Sequence, residues 1–462
     1  MMNHRHYPRL LTLGATIAAL VALLAFFARA ASAQSVSSDS TVRLTLGEAV
    51  RLAARQNVSV ESARYRVEAA QARVTQRRSD LLPTVSAAVS ERGSTLNSAS
   101  ALPIDFPSAP GQPALFDRNG SLLGPLNVFD ARARVSQTLL DPSAVGRVRG
   151  ARTSVQAASA DVANVADVAA LGAANAYLLV LRADAVFGAR LADSTLAADL
   201  LGIAQDQLRA GTGVALDVTR ARSQLTGART QLIVARNDRD RTRVELARAL
   251  GLPLVRIVLA DSLATLPLST TAAESAALGT ALRGRKDLQS IELQAQAARE
   301  QAASIRSERL PTIGVFADEG IAQRNGRSYL PTYDWGVQVS LPIFDGLRRE
   351  GRVAEQLAAA NDLASRQRDL RRQVEADVRI AVLNLTSSAE AVAAARERLG
   401  LAEQEVSQSR ERFQAGVSGN ADVITSSLTL NSARTQYVDA LVSYHAARVA
   451  LARAQGSITT LD

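Results

Sequence analysis

Apolar residues recur every seven positions through much of the second half of the chain. Each large residue is followed three positions later by a small one. The large positions are Val378, Leu385, Val392, Leu399, Val406 and Phe413, and the small ones are Ala381, Ser388, Ala395, Ala402 and Ser409. Sustained heptads with small partners predict long helices that approach closely and supercoil.

The heptad segment occurs twice. Shifting the chain from Phe413 onward back by 205 positions aligns Ala415-Gly416, Asp422-Val423 and Ala433–Gln436 with Ala210-Gly211, Asp217-Val218 and Ala228–Gln231. We interpret this match as an internal duplication. A glycine-containing turn interrupts each copy, at 211–217 and 416–422, so each copy predicts an antiparallel helical hairpin. Heptads alone predict only a bundle core, and the function must be inferred from the rest of the chain.

Four short segments alternate between apolar and polar residues, which predicts strands with two different faces. They lie at about 84–92, 130–139, 312–318 and 334–341. Leu310-Pro311-Thr312 repeats Leu82-Pro83-Thr84 before the first strand of each half. Each half therefore reads helix, strand, strand, long helix, turn, helix, and the first helix of each half is predicted as one unbroken helix, at 46–80 and 278–308. The segment 94–128 contains five prolines and predicts a long loop.

The chain divides into five predicted parts. Residues 1–33 resemble a signal peptide, with Arg5 and Arg9, an apolar run and an Ala31-Ser32-Ala33 cleavage site. An uncleaved anchor is the alternative, because the 18-residue run from 10 to 27 is long enough to span a membrane. The first repeat covers 34–251, a linker that we expect to pack as an equatorial patch covers 252–277, the second repeat covers 278–456, and a tail covers 457–462.

Composition narrows the classes of function. The chain carries 53 basic and 44 acidic residues, and the arginines alternate with acids along the helices, which disfavours a nucleic-acid partner. Cysteine is absent, so we expect no disulfide, no thiolate metal site and no lipid anchor on a mature N-terminal cysteine. Only His445 follows the predicted signal peptide, and we expect it to be structural or solvated. We therefore expect neither a cofactor nor enzyme activity.

Two-faced strands in an exported chain predict a membrane barrel with a wet lumen. Four strands cannot close a barrel, and lipid tolerates no open sheet edge, so several chains would have to pool their strands. We expect a mainly α protein with a small membrane β part, in which a homotrimer forms a 12-stranded β-barrel on an α-helical coiled-coil tunnel. Phe129, Tyr333 and Trp335 are the predicted membrane-interface aromatics.

The order of these motifs resembles the TolC-like outer-membrane efflux family over essentially the whole chain. The motifs are the Leu-Pro before each first strand, Ser340–Gly346 after the last strand, and Arg412-Phe413, Gly416 and Asp422-Val423 around the turn. The resemblance implies a trimeric channel in the outer membrane that extends into the periplasm. It also implies a periplasmic adaptor and an inner-membrane pump of the RND, ABC or MFS type, in a tripartite efflux pump or a type I secretion system.

The resemblance also assigns roles at the tips of the hairpins, where family members close the channel with carboxylates and polar links. Asp422 matches one carboxylate position, whereas Thr425 and Ser418 stand where the family has a second carboxylate and a basic link. Asp217 and Arg220 of the first copy are the candidate replacements. We hypothesise that a ring of Asp422 favours cations. The alternative is that Asp217 and Asp422 satisfy free N–H groups at the start of a helix.

The glycines and the serine of the two turns have a double interpretation. Gly211, Gly213, Gly416, Ser418 and Gly419 are turn residues first and candidate adaptor contacts second. A different class of function also remains open, namely an exported periplasmic adaptor or scaffold whose strands form a small soluble domain. The sequence specifies neither the exported substrate nor the pump.

Overall fold

The computed structural model of the protein describes residues 41–97, 122–253, 256–266 and 273–461. The predicted signal peptide and most of the predicted loop 94–128 lie outside these ranges. The first half contains β1 (Thr41–Leu44), α1 (Leu46–Gln56), α2 (Val58–Ser79), β2 (Thr84–Asn97), β3 (Leu122–Leu140), α3 (Pro142–Arg209) and α4 (Ala215–Leu250). The second contains β4 (Arg256–Leu259), α5 (Glu274–Gly284), α6 (Lys286–Ser307), β5 (Thr312–Arg324), β6 (Leu330–Ser340), α7 (Arg348–Gln414) and α8 (Asn420–Gln455).

The order of elements that the sequence predicts is present in both halves, but the strands are longer than predicted. Residues 94–97 and 122–128 belong to β2 and β3, whereas the sequence predicted a loop there. The reason is the antiparallel ladder, which continues past Gly93 and includes the pair of Ser94 with Leu126. Pairing with a neighbouring strand satisfies backbone groups whatever the side chains are, so it extends beyond the region of clear alternation.

Each half also contains a helix break that the sequence did not predict. The expected helix from 46 to 80 ends at Asn57, whose side chain accepts a bond from Ser59 N at 2.9 Å and donates one to Ala249 O at 2.9 Å. The expected helix from 278 to 308 breaks at Arg285, which is buried and contacts Asp287 and Asp377 at 2.6 and 2.9 Å. The single-helix predictions were wrong because these contacts reach residues far away in the sequence.

The long helices α3 and α7 pack against the shorter helices along a seam of small residues. Helix α3 contacts α2, α4, α6 and α8, and α7 contacts α6 and α8. Close approach is clearest at Gly146, where an added Cβ would lie 2.9 Å from Ser304 Cβ. Most of the predicted heptad residues of α7 are buried: Val378, Ala381, Leu385, Val392, Ala402, Val406 and Phe413.

Helices α3 and α7 each contain an 18-residue window with the length and mean hydropathy of a membrane span. In these windows 44% of α3 and 22% of α7 are buried within the chain. Both are alanine-rich stretches of helices that pack against other helices of the chain, and a packed seam produces the same composition.

A small two-stranded sheet packs against the middle of α3, near Tyr177. Strands β1 and β4 pair in parallel there, and the hydroxyl of Tyr177 on α3 donates to Leu44 O at 3.0 Å or Asp261 Oδ2 at 2.9 Å. Asp261 also accepts a bond from Leu46 N at 2.8 Å. These contacts attach part of the predicted equatorial segment to the first long helix.

His445 on α8 is buried, with 1% of its surface exposed. Its ring lies edge-on to that of Tyr444, with 5.3 Å between the centroids. Burial lowers the pKa of His445 to about 4, and the positive charge of Arg448 acts in the same direction, against a smaller opposing effect of the Leu263 backbone. The histidine is therefore a neutral core residue at pH 7.

Because His445 is buried and neutral, we expect the folded protein to lose stability as the pH falls. Unfolding restores its ordinary pKa of about 6.5, so the unfolded state binds a proton that the folded state excludes as the pH falls from about 6.5 towards about 4. We expect a loss of about 2 kcal/mol over this range, and a smaller loss in His445→Gln. Thermal unfolding of the purified protein at pH 7 and pH 4.5 measures the difference. An equal pH dependence in both proteins would contradict the assignment.

Candidate functional site

The β2–β3–β5–β6 sheet is antiparallel throughout and open at both sides. Strands β2 and β6 are the outer strands. Within the described ranges, neither has a strand partner on its outer edge. Each outer edge therefore presents a row of backbone N–H and C=O groups to any strand that comes beside it.

One face of the sheet is exposed and largely apolar, with Glu319 as a charged exception between Ala133 and Tyr333. The strand register places alternate residues of all four strands on this face. Its exposed large side chains are Val85, Val89, Val135, Ile321, Tyr333, Trp335, Val337 and Val339. Exposed apolar faces of this extent mark surfaces that contact lipid or another protein.

The opposite face of the sheet is polar. Arg132 on β3 forms ion pairs with Asp130 on the same strand and with Asp318 on β5, the latter at 3.3 Å. The guanidinium of Arg134 lies over the ring of Phe316, 4.9 Å from its centroid. The sheet therefore separates a charged surface from an apolar one, as the alternation predicted.

The three predicted interface aromatics, Phe129, Tyr333 and Trp335, all lie on the apolar face, but at two different heights along the strands. Tyr333 and Trp335 are 80% and 72% exposed. Phe129 pairs with Gln323 of β5, and Trp335 pairs with Ala317 of β5. Gln323 and Ala317 lie about 20 Å apart along that strand. Phe129 is only half-exposed because its ring packs edge-on against that of Tyr329, with 5.8 Å between the centroids. Tyr329, which lies in the short turn between β5 and β6, was not predicted from the sequence.

At the other end of the long helices, both hairpin turns begin with a left-handed glycine. Gly211 and Gly416 have φ angles of +73° and +74°, which other residues adopt only with strain. Gly213 is needed for a different reason, because an added Cβ would lie 2.9 Å from Gln207 Cβ. Gly419 precedes α8 and has open space around its Cα.

The two tips are joined to each other. Gln207 Nε2 donates to Phe413 O at 2.9 Å, and Asn420 Nδ2 donates to Asp217 O at 3.1 Å. Between the hairpins lies a small apolar cluster of Leu200, Ala204, Ala221, Phe413 and Val423. Neither Gln207 nor Asn420 was predicted from the sequence. The only signal for Asn420 was that it replaces Ala215 of the first copy.

The predicted gate residues are only partly brought together. Asp217 and Arg220 form a loose ion pair at 3.9 Å. Asp422 and Thr425 are exposed, and the Thr425 hydroxyl donates to Ala421 O at 3.0 Å. The Ser418 hydroxyl is buried and has no hydrogen-bond partner among the described residues.

Asp217 and Asp422 each occupy the third position of their helix, in the first turn. Val214 and Gly419 are the N-cap residues, and neither cap has a side-chain hydrogen bond. The two carboxylates therefore lie where the helix dipole stabilises a negative charge, and no capping bond accounts for them.

A charged contact that the sequence did not predict joins the two hairpins further from the tips. Asp193 on α3 contacts Arg434 on α8 at 3.0 Å and Arg190 at 3.2 Å. Burial raises the pKa of Asp193, and the two arginines only partly offset this effect. The ion pair thus recovers less free energy than the burial of the carboxylate costs.

A cleft of about 690 Å³ lies beside this contact, between α3, α7 and α8. Arg410 and Asp199 face each other across it at 3.7 Å. The cleft is also lined by Leu191, Glu403 and Leu430. Within the described ranges, no group of three or more His, Asp or Glu side chains is arranged to hold a metal ion.

Comparison with known proteins finds similarity to channel proteins. The family model described as "Outer membrane efflux protein" matches residues 49–252 and 277–457. The alkaline protease secretion protein AprF of Pseudomonas aeruginosa is 28% identical over 254 residues, which are 52% of this chain and 51% of AprF. The match thus spans about half of the length of this curated relative.

Solved structures with the same fold include two outer membrane channels. The MtrE channel of Neisseria gonorrhoeae in its open state has a TM-score of 0.71 and 16% identity, and the match covers 89% of each chain. The CmeC channel of Campylobacter jejuni has a TM-score of 0.70 and 16% identity, and the match covers 90% of this chain and 87% of CmeC. At this level of identity the likeness establishes the fold.

Because Asp193 contacts Arg434, we expect the single variants at these two positions to lose different amounts of stability. Arg434→Gln leaves a buried carboxylate with Arg190 as its remaining contact, so we expect a loss of about 1 to 2 kcal/mol. Asp193→Asn removes the charge that is costly to bury, so we expect a change of less than about 0.5 kcal/mol. Thermal unfolding of both variants and of the double variant measures the coupling. Equal losses in the two single variants would contradict this account.

Proposed function

This chain belongs to the outer membrane efflux protein family, and from that premise we propose that it is a passive duct. It would carry substrates across the periplasm and the outer membrane, from an inner-membrane transporter that a periplasmic adaptor connects to it. The observation that supports this proposal best is the four-stranded sheet, with one apolar face, one charged face and two unpaired edges. A soluble adaptor or scaffold would bury its apolar strand face in a core of its own.

We propose that three copies close one barrel. Strands β2 and β6 run in opposite directions, because the three pairings of the sheet are all antiparallel. The β6 strand of one copy can therefore pair with β2 of the next without a break in the antiparallel order. Each copy supplies four strands, so three copies give 12, which is within the range of membrane barrels.

In such a barrel the apolar face meets lipid and the charged face lines the water-filled lumen. Tyr333 and Trp335 would form one aromatic level in the membrane, and Phe129 with Tyr329 would form another level nearer the loops. Arg132, Asp130 and Asp318 would line the lumen. The paired arrangement of these charges satisfies them without a ligand.

The helices would continue the barrel as a tunnel. Helix α3 contains 68 residues and α7 contains 67, so each is about 100 Å long. The tips lie at the far end, where we propose that Gly211, Gly213, Gly416, Ser418 and Gly419 contact the adaptor. The similarity to a secretion protein and to channel structures leaves type I secretion and tripartite efflux as the two settings, with an RND, ABC or MFS pump.

The oligomer and its location are testable together. We expect the full chain to fractionate with the outer membrane and to run on a mildly denaturing gel as a trimer that heating converts to a monomer. The physical reason is that the barrel can satisfy its strand edges only when the copies stay together. A soluble periplasmic monomer would contradict the proposal and support the adaptor alternative.

The charge at the tips is testable in planar bilayers. If three copies of Asp422 surround the constriction, Asp422→Asn should lower the cation preference of single channels and weaken block by multivalent cations. Asp217→Asn is the matched comparison, and we expect a smaller effect because Arg220 already lies 3.9 Å from Asp217. Unchanged selectivity and block in Asp422→Asn would exclude a role for this carboxylate in the constriction.

A further inference from the structure

Large apolar residues are exposed at every junction between a helix and a strand of the four-stranded sheet. Ile343 and Phe344, between β6 and α7, are 91% and 79% exposed. The others are Leu82, Leu139, Leu140, Leu310, Leu341 and Leu347. Leu341, directly after β6, follows Val337 and Val339 of the exposed apolar face in the same alternation. We call these eight residues the junction collar.

A surplus of positive charge lies directly beside the junction collar. Arg77 and Arg78 are in the last turn of α2, Arg306 is in the last turn of α6, and Arg348 is the first residue of α7. All four are exposed. Within the described ranges, their guanidinium groups form neither an ion pair nor a hydrogen bond.

Other arginines at the same junctions are already paired with acids. Arg147 contacts Asp80 and Asp141, and Arg309 contacts Glu350 at 2.6 Å. Arg349 and Arg352 are paired with Asp345 and Glu308. The acids of the junctions are therefore occupied, and the four remaining guanidinium groups have no anionic partner in the part of the chain that the structure describes.

We propose that the junction collar is a binding surface for anionic glycerophospholipids. Its apolar side chains would lie among the acyl chains, and Arg77, Arg78, Arg306 and Arg348 would bind the lipid phosphates. Guanidinium groups suit phosphate oxygens because they offer paired N–H donors and a permanent charge. This inference rests on the proposed insertion of the barrel into a bilayer.

The dimensions agree with a lipid occupant. The four arginines lie within one helical turn of the junctions, which is about 5.4 Å along a helix axis. The headgroup region extends roughly 5 to 8 Å beyond the hydrocarbon core on each side of a bilayer. An anionic occupant also suits the surplus of positive charge that these four arginines bring to the collar.

Trp335 allows a direct test, because it is the only tryptophan of the chain and lies on the exposed apolar face. The full-length protein is reconstituted in vesicles that mix an unlabelled lipid with brominated phosphatidylglycerol or brominated phosphatidylcholine. Bromine quenches tryptophan emission on contact, so the two quenching curves give the relative occupancy of the lipid sites near Trp335. We expect phosphatidylglycerol to be preferred about threefold to fivefold at low salt, with a smaller preference at high salt.

The variant Arg306→Gln with Arg348→Gln should reduce this preference, and the variant that also carries Arg77→Gln and Arg78→Gln should reduce it to nearly one. The matched control is Arg222→Gln with Arg229→Gln, which removes two exposed arginines of α4 that form no ion pair within the described ranges, and it should keep the preference. Inorganic phosphate at matched ionic strength should not compete. Equal quenching by both lipids in the wild-type protein, or an undiminished preference in the variant that lacks all four arginines, would overturn the inference. Absence of quenching by either lipid would instead contradict the insertion of the barrel.

Discussion

The backbone groups on the outer edges of β2 and β6 are the constraint on which the rest of the architecture depends. In water such edges are tolerated, but in a hydrocarbon environment each unpaired N–H or C=O group costs several kcal/mol. The sheet has an exposed apolar face and two such edges, so it cannot enter lipid as a single chain. Antiparallel order at both edges permits the proposed closed ring, which would bring the long helices of the copies together around one axis.

The features that the sequence predicted are those that local chemistry determines. Most of the heptad residues of α7 are buried because a seven-residue period forces one stripe of the helix to face its partner. Gly211 and Gly416 are left-handed because the turn after each long helix requires a positive φ. The two faces of the sheet follow from the alternation of side chains along a strand. In each case the cause lies within a few residues of the effect.

The features that the sequence did not predict arise from contacts between distant segments. Asn57 ends α1 because Ala249 O lies beside it, and Arg285 breaks the later helix while it contacts Asp377 of α7. The contact of Asp193 with Arg434 joins residues 241 positions apart. Arg239 on α4 places its guanidinium 4.3 Å from the ring centroid of Phe187 on α3. No period or motif encodes these pairings, so only the packed helices reveal them.

The distribution of strong and weak contacts along the hairpins bears on how a tip could move. Each turn is fixed by a glycine and by backbone hydrogen bonds such as Val417 N to Arg412 O at 3.0 Å, so each hairpin is locally rigid. The contacts that join the hairpins include two side-chain bonds to backbone carbonyls, a five-residue apolar cluster, the ion pairs Arg410–Asp199 at 3.7 Å and Arg182–Asp439 at 2.7 Å, and an Asp193 contact whose burial is incompletely compensated. Rigid units joined by marginal contacts separate before they unfold. An opening of the tips would therefore proceed by movement of one whole hairpin against the other.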